Sequence, residues 1–181
     1  PIFRFKITDD DYGVNPDTIG ITIDSGSKIT GSAIVKTAVS GGYECTYTPD
    51  TALSDGSHTI KIDASDNDGN AAVQKSVTFK IDTVPPTLSI TSPADGLVTN
   101  QAACTVTGTT NDTTSSPVKV TVKLNSGSAE NVTVGSDGGF SKVLTLTEGS
   151  NTITIVATDS AGKSTTVTRT VKLDTSPFDQ S

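Results

Sequence analysis

The segments GSHTIKIDASDNDG, residues 56–69, and GSNTITIVATDSAG, residues 149–162, are the strongest indication of the fold of this chain. They align without a gap and share eight of their fourteen residues. Further on, KIDTVP from Lys80 parallels KLDTSP from Lys172. Self-similarity at a fixed spacing is the signature of a duplicated structural unit. The sequence therefore predicts two related domains, each of which ends in a strand followed by Asp-Thr-x-Pro.

The front halves of the two copies predict β-strands. IGITIDSG from Ile19 lies on VTVKLNSG from Val120, and apolar residues alternate with polar ones in both. A period of two is typical of strands that cover one side of a core. The predicted core-facing residues are Phe3, Phe5, Ile7, Ile19, Ile21, Ile23, Ile60, Ile62, Ala64, Val77, Phe79 and Ile81 in the first copy, and Cys104, Val106, Gly108, Val120, Val122, Leu124, Ile153, Ile155, Ala157, Val171 and Leu173 in the second.

Short strands separated by turn residues, with no helical period, predict an all-β fold with a sandwich of two antiparallel sheets in each domain. Proline restricts its neighbours, so DTVPP is a stiff exit from the first domain near Val84, and we expect an elongated, monomeric pair. The second copy opens with an extra segment, TLSITSPADGLVT, so the first domain is expected to lack its first strand. The predicted boundaries are 1–84 and 85–177 for the domains and 178–181 for a tail.

Several strings carry a family likeness. TSPADGLVT, VTVKLNSG, GGFSKVLTLTEGSNTITIVATDSAG and the closing LDTSP resemble the bacterial immunoglobulin-like repeats of large secreted and surface proteins. ITDDDYGVNPDTIGITIDSG, YTPDTALSDGSHTIKIDASDNDGN and FKIDTVPP are similar to a related subtype. The resemblance implies two tandem immunoglobulin-like β-sandwiches in an extracellular or cell-surface setting. It implies no activity, because such repeats serve as stalks, adhesive arms and spacers.

Charge and composition exclude some partners. The formal net charge is −7, whereas nucleic-acid binding depends on clustered lysine and arginine, so we expect no nucleic-acid partner. No apolar run approaches the roughly 20 residues of a membrane span, so we expect no membrane insertion. The two cysteines, Cys45 and Cys104, fall in different copies and alternate with apolar residues. Both are predicted to be small buried hydrophobes rather than partners in a disulfide.

The sequence offers little for catalysis. Its one histidine, His58, aligns with Asn151 at the head of the same strand, and an edge or turn position is expected for it. The chain has no metalloprotease, P-loop or dinucleotide motif. Aromatic rings for stacking on sugars are few, and only Tyr12 and Phe178 are expected outside the core. The sequence therefore predicts no enzyme and no catalytic residue.

The segment DASDNDGN, residues 63–70, raises the question of a metal site. Its spacing does not fit an EF-hand loop, and the second copy retains only the aspartate and the glycine, as DSAG. A hairpin turn explains this retention, with Asp66 and Asp159 capping the turn and the glycines at positive φ. The turn is the first interpretation, and a cation site is the alternative.

Sandwich topology keeps the cation site open. The loop DDDYGVNPD and the hairpin at DASDNDGN are expected at one pole of the first domain, where acidic residues would repel unless they are solvated or bound to an ion. The candidate calcium pole consists of Asp9, Asp10, Asp11, Asp66 and Asp68. A second candidate lies at the junction, where Asp82 is expected to meet Asp112 and Asp159, and calcium there would stiffen the rod. No other cofactor is expected.

The leading functional hypothesis is a non-catalytic spacer or stalk of a larger extracellular bacterial protein, with neighbouring domains of the same chain as its partners. The alternatives are an adhesive module that binds an extracellular protein or a glycan, and an accessory module of a polysaccharide-degrading enzyme. A contiguous exposed apolar patch would favour adhesion.

Overall fold

The computed structural model describes residues 1–176 and divides the chain into two compact units. The first unit is Pro1–Ile81 and the second begins at Asp82, three residues before the predicted start at 85. Asp82 is 9% exposed, and its carboxylate accepts the backbone N–H of Val84, so it folds with the residues that follow it. The predicted end of the second domain at 177 and the tail at 178–181 lie outside the described residues.

The first unit is a sandwich of two three-stranded antiparallel sheets, with strand orders β1-β4-β3 and β2-β5-β6. A single turn of 3-10 helix, Gly31–Ala33, precedes β3. Extended segments dominate because β-branched and aromatic residues alternate with polar ones along them. The strands are β1 (Phe3–Thr8), β2 (Val14–Ile23), β3 (Val35–Val39), β4 (Gly42–Tyr47), β5 (Gly56–Asp66) and β6 (Lys75–Ile81).

The second unit is also a sandwich, with a three-stranded sheet, β12-β9-β7, and a five-stranded sheet, β11-β10-β13-β14-β8. Its strand pairs are antiparallel except β14 with β8, which is parallel. The strands are β7 (Thr87–Ser92), β8 (Leu97–Thr99), β9 (Ala103–Asn111), β10 (Lys119–Leu124), β11 (Glu130–Val132), β12 (Gly139–Thr145), β13 (Gly149–Thr158) and β14 (Ser164–Leu173). The prediction of two tandem all-β sandwiches is confirmed.

Each unit has its own apolar core between its two sheets. The centre of the first core contains Ile19 and Ile21, and the centre of the second contains Ile153 and Ile155; all four are fully buried. The predicted core-facing residues are buried or half-buried, with the exception of Val77. Cys45 and Cys104 are free and buried, as predicted.

Val77 was wrongly assigned to the core, since its side chain is 45% exposed. It lines an apolar surface groove of about 350 Å³ on the first unit, together with Phe3, Phe5, Ile60 and Phe79. The groove runs between β1 and β6, which are edge strands of the two sheets. Alternation places Val77 on the core-facing side of β6, but it does not reveal that β6 is an edge strand and that the sandwich is open along this edge.

The opening strands distinguish the two units. In the second unit, β7 pairs with β9 and β8 pairs with β14. Residues 1–81 contain no counterpart of β7 or β8, although β1 pairs with β4 as β9 pairs with β12. That the first domain lacks an opening strand stays a prediction.

Removing a core side chain should destabilise one unit selectively. Ile21→Ala deletes fully buried apolar volume and should lower the free energy of unfolding of the first unit by about 2–5 kcal/mol. Urea denaturation followed by tyrosine fluorescence measures this, because Tyr12, Tyr43 and Tyr47 are the only tyrosines, all three lie in the first unit, and the chain has no tryptophan. Val35→Ala is the matched control, since Val35 is 63% exposed. Equal midpoints for the two variants would contradict the assignment of the core.

Candidate functional site

The first candidate site is the acidic pole of the first unit, formed by Asp9, Asp10, Asp11, Asp66 and Asp68. The loop after β1 holds the first three, and the turn after β5 holds the other two. All of them except Asp68 line one open surface pocket of about 430 Å³. The loop and the hairpin therefore lie close together, as predicted.

Two of the five carboxylates of this pole, those of Asp9 and Asp66, accept hydrogen bonds within their own loops. Both carboxylate oxygens of Asp66 accept hydrogen bonds from Asn70, one from its backbone N–H and one from Nδ2, each at 2.8 Å. The side-chain bond from Asn70 is the main reason that the pKa of Asp66 is lowered. Asp9 Oδ1 accepts the backbone N–H of Asp11 at 2.9 Å. These contacts order the loops and do not direct several carboxylates at one point.

The hairpin interpretation of DASDNDGN holds. Gly69 has a φ of 88° and donates its N–H to the carbonyl oxygen of Asp66. In the second unit, Gly162 has a φ of 85° and donates its N–H to the carbonyl oxygen of Asp159. Positive φ costs glycine little, so this backbone requirement explains why the aspartate and the glycine recur in both copies.

The second candidate site, Asp82, Asp112 and Asp159, is brought together as predicted. One carboxylate oxygen from each residue lies within 4.8 Å of the other two. Asp82 lies in the segment before β7, Asp112 follows β9 and Asp159 follows β13, so three segments of the second unit bring the side chains to one place. Within residues 1–176, no other group of three or more histidine, cysteine, aspartate or glutamate side chains converges in this way.

Each of these aspartates has one oxygen bound to a nearby backbone N–H. Asp82 Oδ1 accepts from Val84 at 3.0 Å, and Asp159 Oδ1 accepts from Lys163 at 2.8 Å. Asp112 Oδ1 accepts from Ser115 at 2.7 Å. The Oδ2 atoms of Asp82 and Asp159 are buried and have no hydrogen-bond partner among the described residues. Since buried polar atoms are nearly always paired, these two oxygens require an explanation.

His58 does not occupy an edge or a turn, and that expectation was wrong. It lies in β5, the middle strand of its sheet, and is only 8% exposed. Its Nδ1 is 2.8 Å from Asp24 Oδ2, and its Nε2 is 2.8 Å from the carbonyl oxygen of Ser54. Both neighbours are acceptors, and only the protonated ring donates from both nitrogens. The pKa of His58 is accordingly raised and that of Asp24 lowered, each mainly by the hydrogen bond between them.

The second unit builds the same contact from neutral groups. Asn125 and Asn151 are hydrogen-bonded at 3.1 Å, and Asn151 Nδ2 donates to the carbonyl oxygen of Thr147. Asp24 and Asn125 both have positive φ, at 53° and 51°, and each accepts a backbone N–H from the opposite strand. His58 is therefore one half of a structural pair. The aligned strings IDSG and LNSG, together with the alignment of His58 with Asn151, are the sequence signal of this pair.

The remaining candidate groups lack the partners that catalysis needs. Burial raises the pKa of the Cys45 and Cys104 thiols, so neither is an activated nucleophile. A surface cavity of about 550 Å³ in the second unit is lined by one carboxylate, that of Asp112, and by no histidine or cysteine. Tyr12 is 60% exposed, as predicted, whereas Phe178 lies outside the described residues. Residues 1–176 contain no helix that is long and apolar enough to cross a membrane.

Each of the two units matches the model of a known protein family. A family model described as a bacterial Ig-like domain matches residues 4–83, and one described as glucodextranase, domain B, matches residues 86–175. Bacillopeptidase F from Bacillus subtilis (strain 168) is 33% identical over 114 residues. That match covers 63% of this chain and 7% of the relative, so the chain is similar to a small part of a much longer protein.

Among solved structures, the fibronectin(III)-like modules of Clostridium thermocellum CbhA align with 96% of this chain and with 85% of their own. The sequence identity is 17% and the TM-score is 0.50. At that identity the similarity shows the fold alone.

The Asp24–His58 pair should make the stability of the first unit depend on pH. The raised pKa of His58 stabilises the folded state fully below its unfolded value of about 6.5, and this contribution is lost as pH rises through the folded pKa. The lowered pKa of Asp24 stabilises it above an unfolded value of about 3.9, and this is lost as pH falls through the folded pKa. The pair should therefore contribute most between about pH 4 and 6.5.

The double variant Asp24→Asn/His58→Asn copies the neutral pair of the second unit. Its free energy of unfolding, measured by tyrosine fluorescence in urea across pH 4–9, should lack the component centred between about pH 4 and 6.5. Asp50→Asn removes an exposed carboxylate and should retain the wild-type pH profile. An unchanged profile in the double variant would show that the pair does not carry this dependence.

Proposed function

We propose that the chain is a non-catalytic module of a longer extracellular bacterial protein, where it acts as a spacer or stalk. The match of residues 4–83 to a bacterial Ig-like domain and of residues 86–175 to a domain of a glucodextranase supports this proposal. The observation that carries the proposal is the role of His58, the only histidine of the chain. Its ring is held between Asp24 and a backbone carbonyl, in a position where the second unit uses an amide. The most versatile acid–base residue is thus used to join strands.

The nature of the relatives supports a place within a larger protein. The second unit is similar to a domain of a glucodextranase, and 114 residues are similar to part of a bacillopeptidase. Because one fold hosts many unrelated functions, similarity to modules of two different enzymes is no evidence for chemistry in the module itself. We therefore propose that neighbouring domains of the same chain are the main partners, and that any hydrolytic activity belongs to them.

Adhesion is the second candidate function, and the apolar groove of the first unit is the surface that would serve it. In the second unit the corresponding strands, β9 and β14, pair with β7 and β8, so the groove is also where an opening strand of the first unit would pack. Val77 is 45% exposed there, and the groove is bordered by Phe3 and Phe5, so apolar surface is contiguous on that side. Exposed apolar surface of this kind is a common feature of protein-binding sites. This function would require a ligand, either an extracellular protein or a glycan that stacks on an aromatic ring.

The purified chain should neither hydrolyse nor bind common proteins and polysaccharides. We expect no release of peptides from casein and no reducing sugar from dextran or cellulose above a buffer blank. We also expect no retention on a glycan array or on extracellular-matrix proteins. Reproducible retention that is abolished by Val77→Asp, but not by the exposed control Val143→Asp, would replace the spacer function with adhesion through the groove.

A further inference from the structure

We infer that Asp82, Asp112 and Asp159 of the second unit form a calcium-binding site. One carboxylate oxygen from each lies within 4.8 Å of the other two. Three negative charges at this separation repel one another strongly where solvent access is limited. A divalent cation among them would convert that repulsion into attraction.

The buried oxygens are an independent indication of a ligand. Asp82 is 9% exposed and Asp159 is 5% exposed, and the Oδ2 atom of each has no hydrogen-bond partner among residues 1–176. The Oδ1 atoms are already used by the backbone N–H groups of Val84 and Lys163. A buried carboxylate oxygen without a partner is costly, and metal coordination is one of the two usual ways in which it is compensated. The loops thus fix each side chain by one oxygen and leave the other for a ligand.

The chemistry of the donors selects calcium. All three are carboxylates, and oxygen is the donor that calcium and magnesium prefer, whereas zinc and copper favour histidine and cysteine. Calcium binds oxygen at about 2.3–2.6 Å, so opposite ligands of one ion are separated by up to about 5 Å. Magnesium, with bonds of about 2.0–2.1 Å, limits that separation to about 4 Å and requires a regular octahedron. Oxygens that all lie within 4.8 Å of one another satisfy the calcium limit as they stand, and three separate segments suit the ion that tolerates irregular geometry.

Three protein oxygens are fewer than the six to eight that calcium takes, so water would complete the shell. Asp112 is only half-buried, which leaves an approach for solvent. A partly hydrated site of this kind should bind with a dissociation constant of about 0.1–1 mM, the range of extracellular calcium modules. The ion would hold the segment that begins at Asp82 against the loops that follow β9 and β13.

The acidic pole of the first unit lacks one element of this arrangement. In the alignment of the two copies, Asp11 corresponds to Asp112 and Asp66 corresponds to Asp159. Among the described residues, no third carboxylate oxygen converges with those of Asp11 and Asp66. In addition, both oxygens of Asp66 are bound by Asn70, where the second copy has Lys163. The first unit therefore serves as an internal comparison that should not bind calcium with the same affinity.

The test is calcium titration of the whole 181-residue chain by isothermal calorimetry, paired with scanning calorimetry in EDTA and in 5 mM calcium chloride. The wild-type chain should bind one calcium ion per molecule, and calcium should raise the melting temperature of the second unit by several degrees. Magnesium at the same concentration should give a smaller shift.

Asp112→Asn and Asp159→Asn each keep the Oδ1 atom that accepts the backbone N–H and remove one negative charge. Either should weaken calcium binding at least tenfold. Asp137→Asn is the matched control, because Asp137 lies in the second unit and its Oδ1 accepts the N–H of Gly139, but it does not belong to the cluster. Asp66→Asn is the corresponding control in the first unit. Both controls should bind calcium as the wild type does.

The sign of the stability change separates an ion site from a structural role. In EDTA, Asp112→Asn and Asp159→Asn should melt at or above the wild-type temperature, because each relieves repulsion among the carboxylates. In calcium they should melt below the wild type, because they lose the ion. Variants that melt below the wild type by the same amount in both conditions would overturn the inference. So would the absence of binding heat at millimolar calcium, or binding that Asp66→Asn abolishes and Asp159→Asn does not.

Discussion

Each unit is held together by the packing of its two sheets over aliphatic side chains. The central strands β5 and β13 each lie between two neighbours and bury one face completely or nearly so. With aromatic residues at 4% of the chain, the cores consist mainly of isoleucine and valine, whose stiff side chains suit a pleated surface. Every loop is then positioned by where a strand of fixed register ends. The acidic clusters arise in this way, since Asp66, Asp112 and Asp159 end strands or follow directly after them.

Duplication shows which features are backbone requirements and which are choices of side chain. The left-handed residue that begins the turn after β2 or β10 is Asp24 in one unit and Asn125 in the other. Its partner is His58 or Asn151, so the same geometry is supported by an ion pair in one case and by amides in the other. A contact that tolerates this exchange is defined by its hydrogen bonds and not by its charge. Because the amide of Asn151 fills the matching position in the second unit, this contact does not depend on an acid–base side chain.

The sequence predicted the fold well because strand alternation and turn chemistry are local. Period two identified 22 of the 23 core positions assigned to the two copies, and the Asp-x-x-Gly turns were identified from their retained residues alone. Val77 was missed because its exposure depends on the absence of a neighbouring strand, which is a property of the edge and not of the residue. His58 was misplaced for a similar reason, since strand order decides whether a strand is central and alternation carries no information on order.

The two acidic candidate sites show a similar limit, because the sequence predicts which residues come close together but not which of their oxygens stay free. Topology placed both sets of aspartates at a common pole, and proximity followed in both units. The carboxylates converge only in the second unit, because there each aspartate uses only Oδ1 to accept nearby backbone N–H groups, and a third aspartate, Asp82, lies in the segment before β7. In the first unit, Asn70 occupies the oxygens of Asp66 from within its own turn. The sequence shows how many carboxylates are present, whereas an ion binds only the oxygens that remain unpaired after the loops have formed their own hydrogen bonds. The boundary between the copies is a further example, since Asp82 belongs to the end of the first copy in the sequence but folds as the first residue of the second unit.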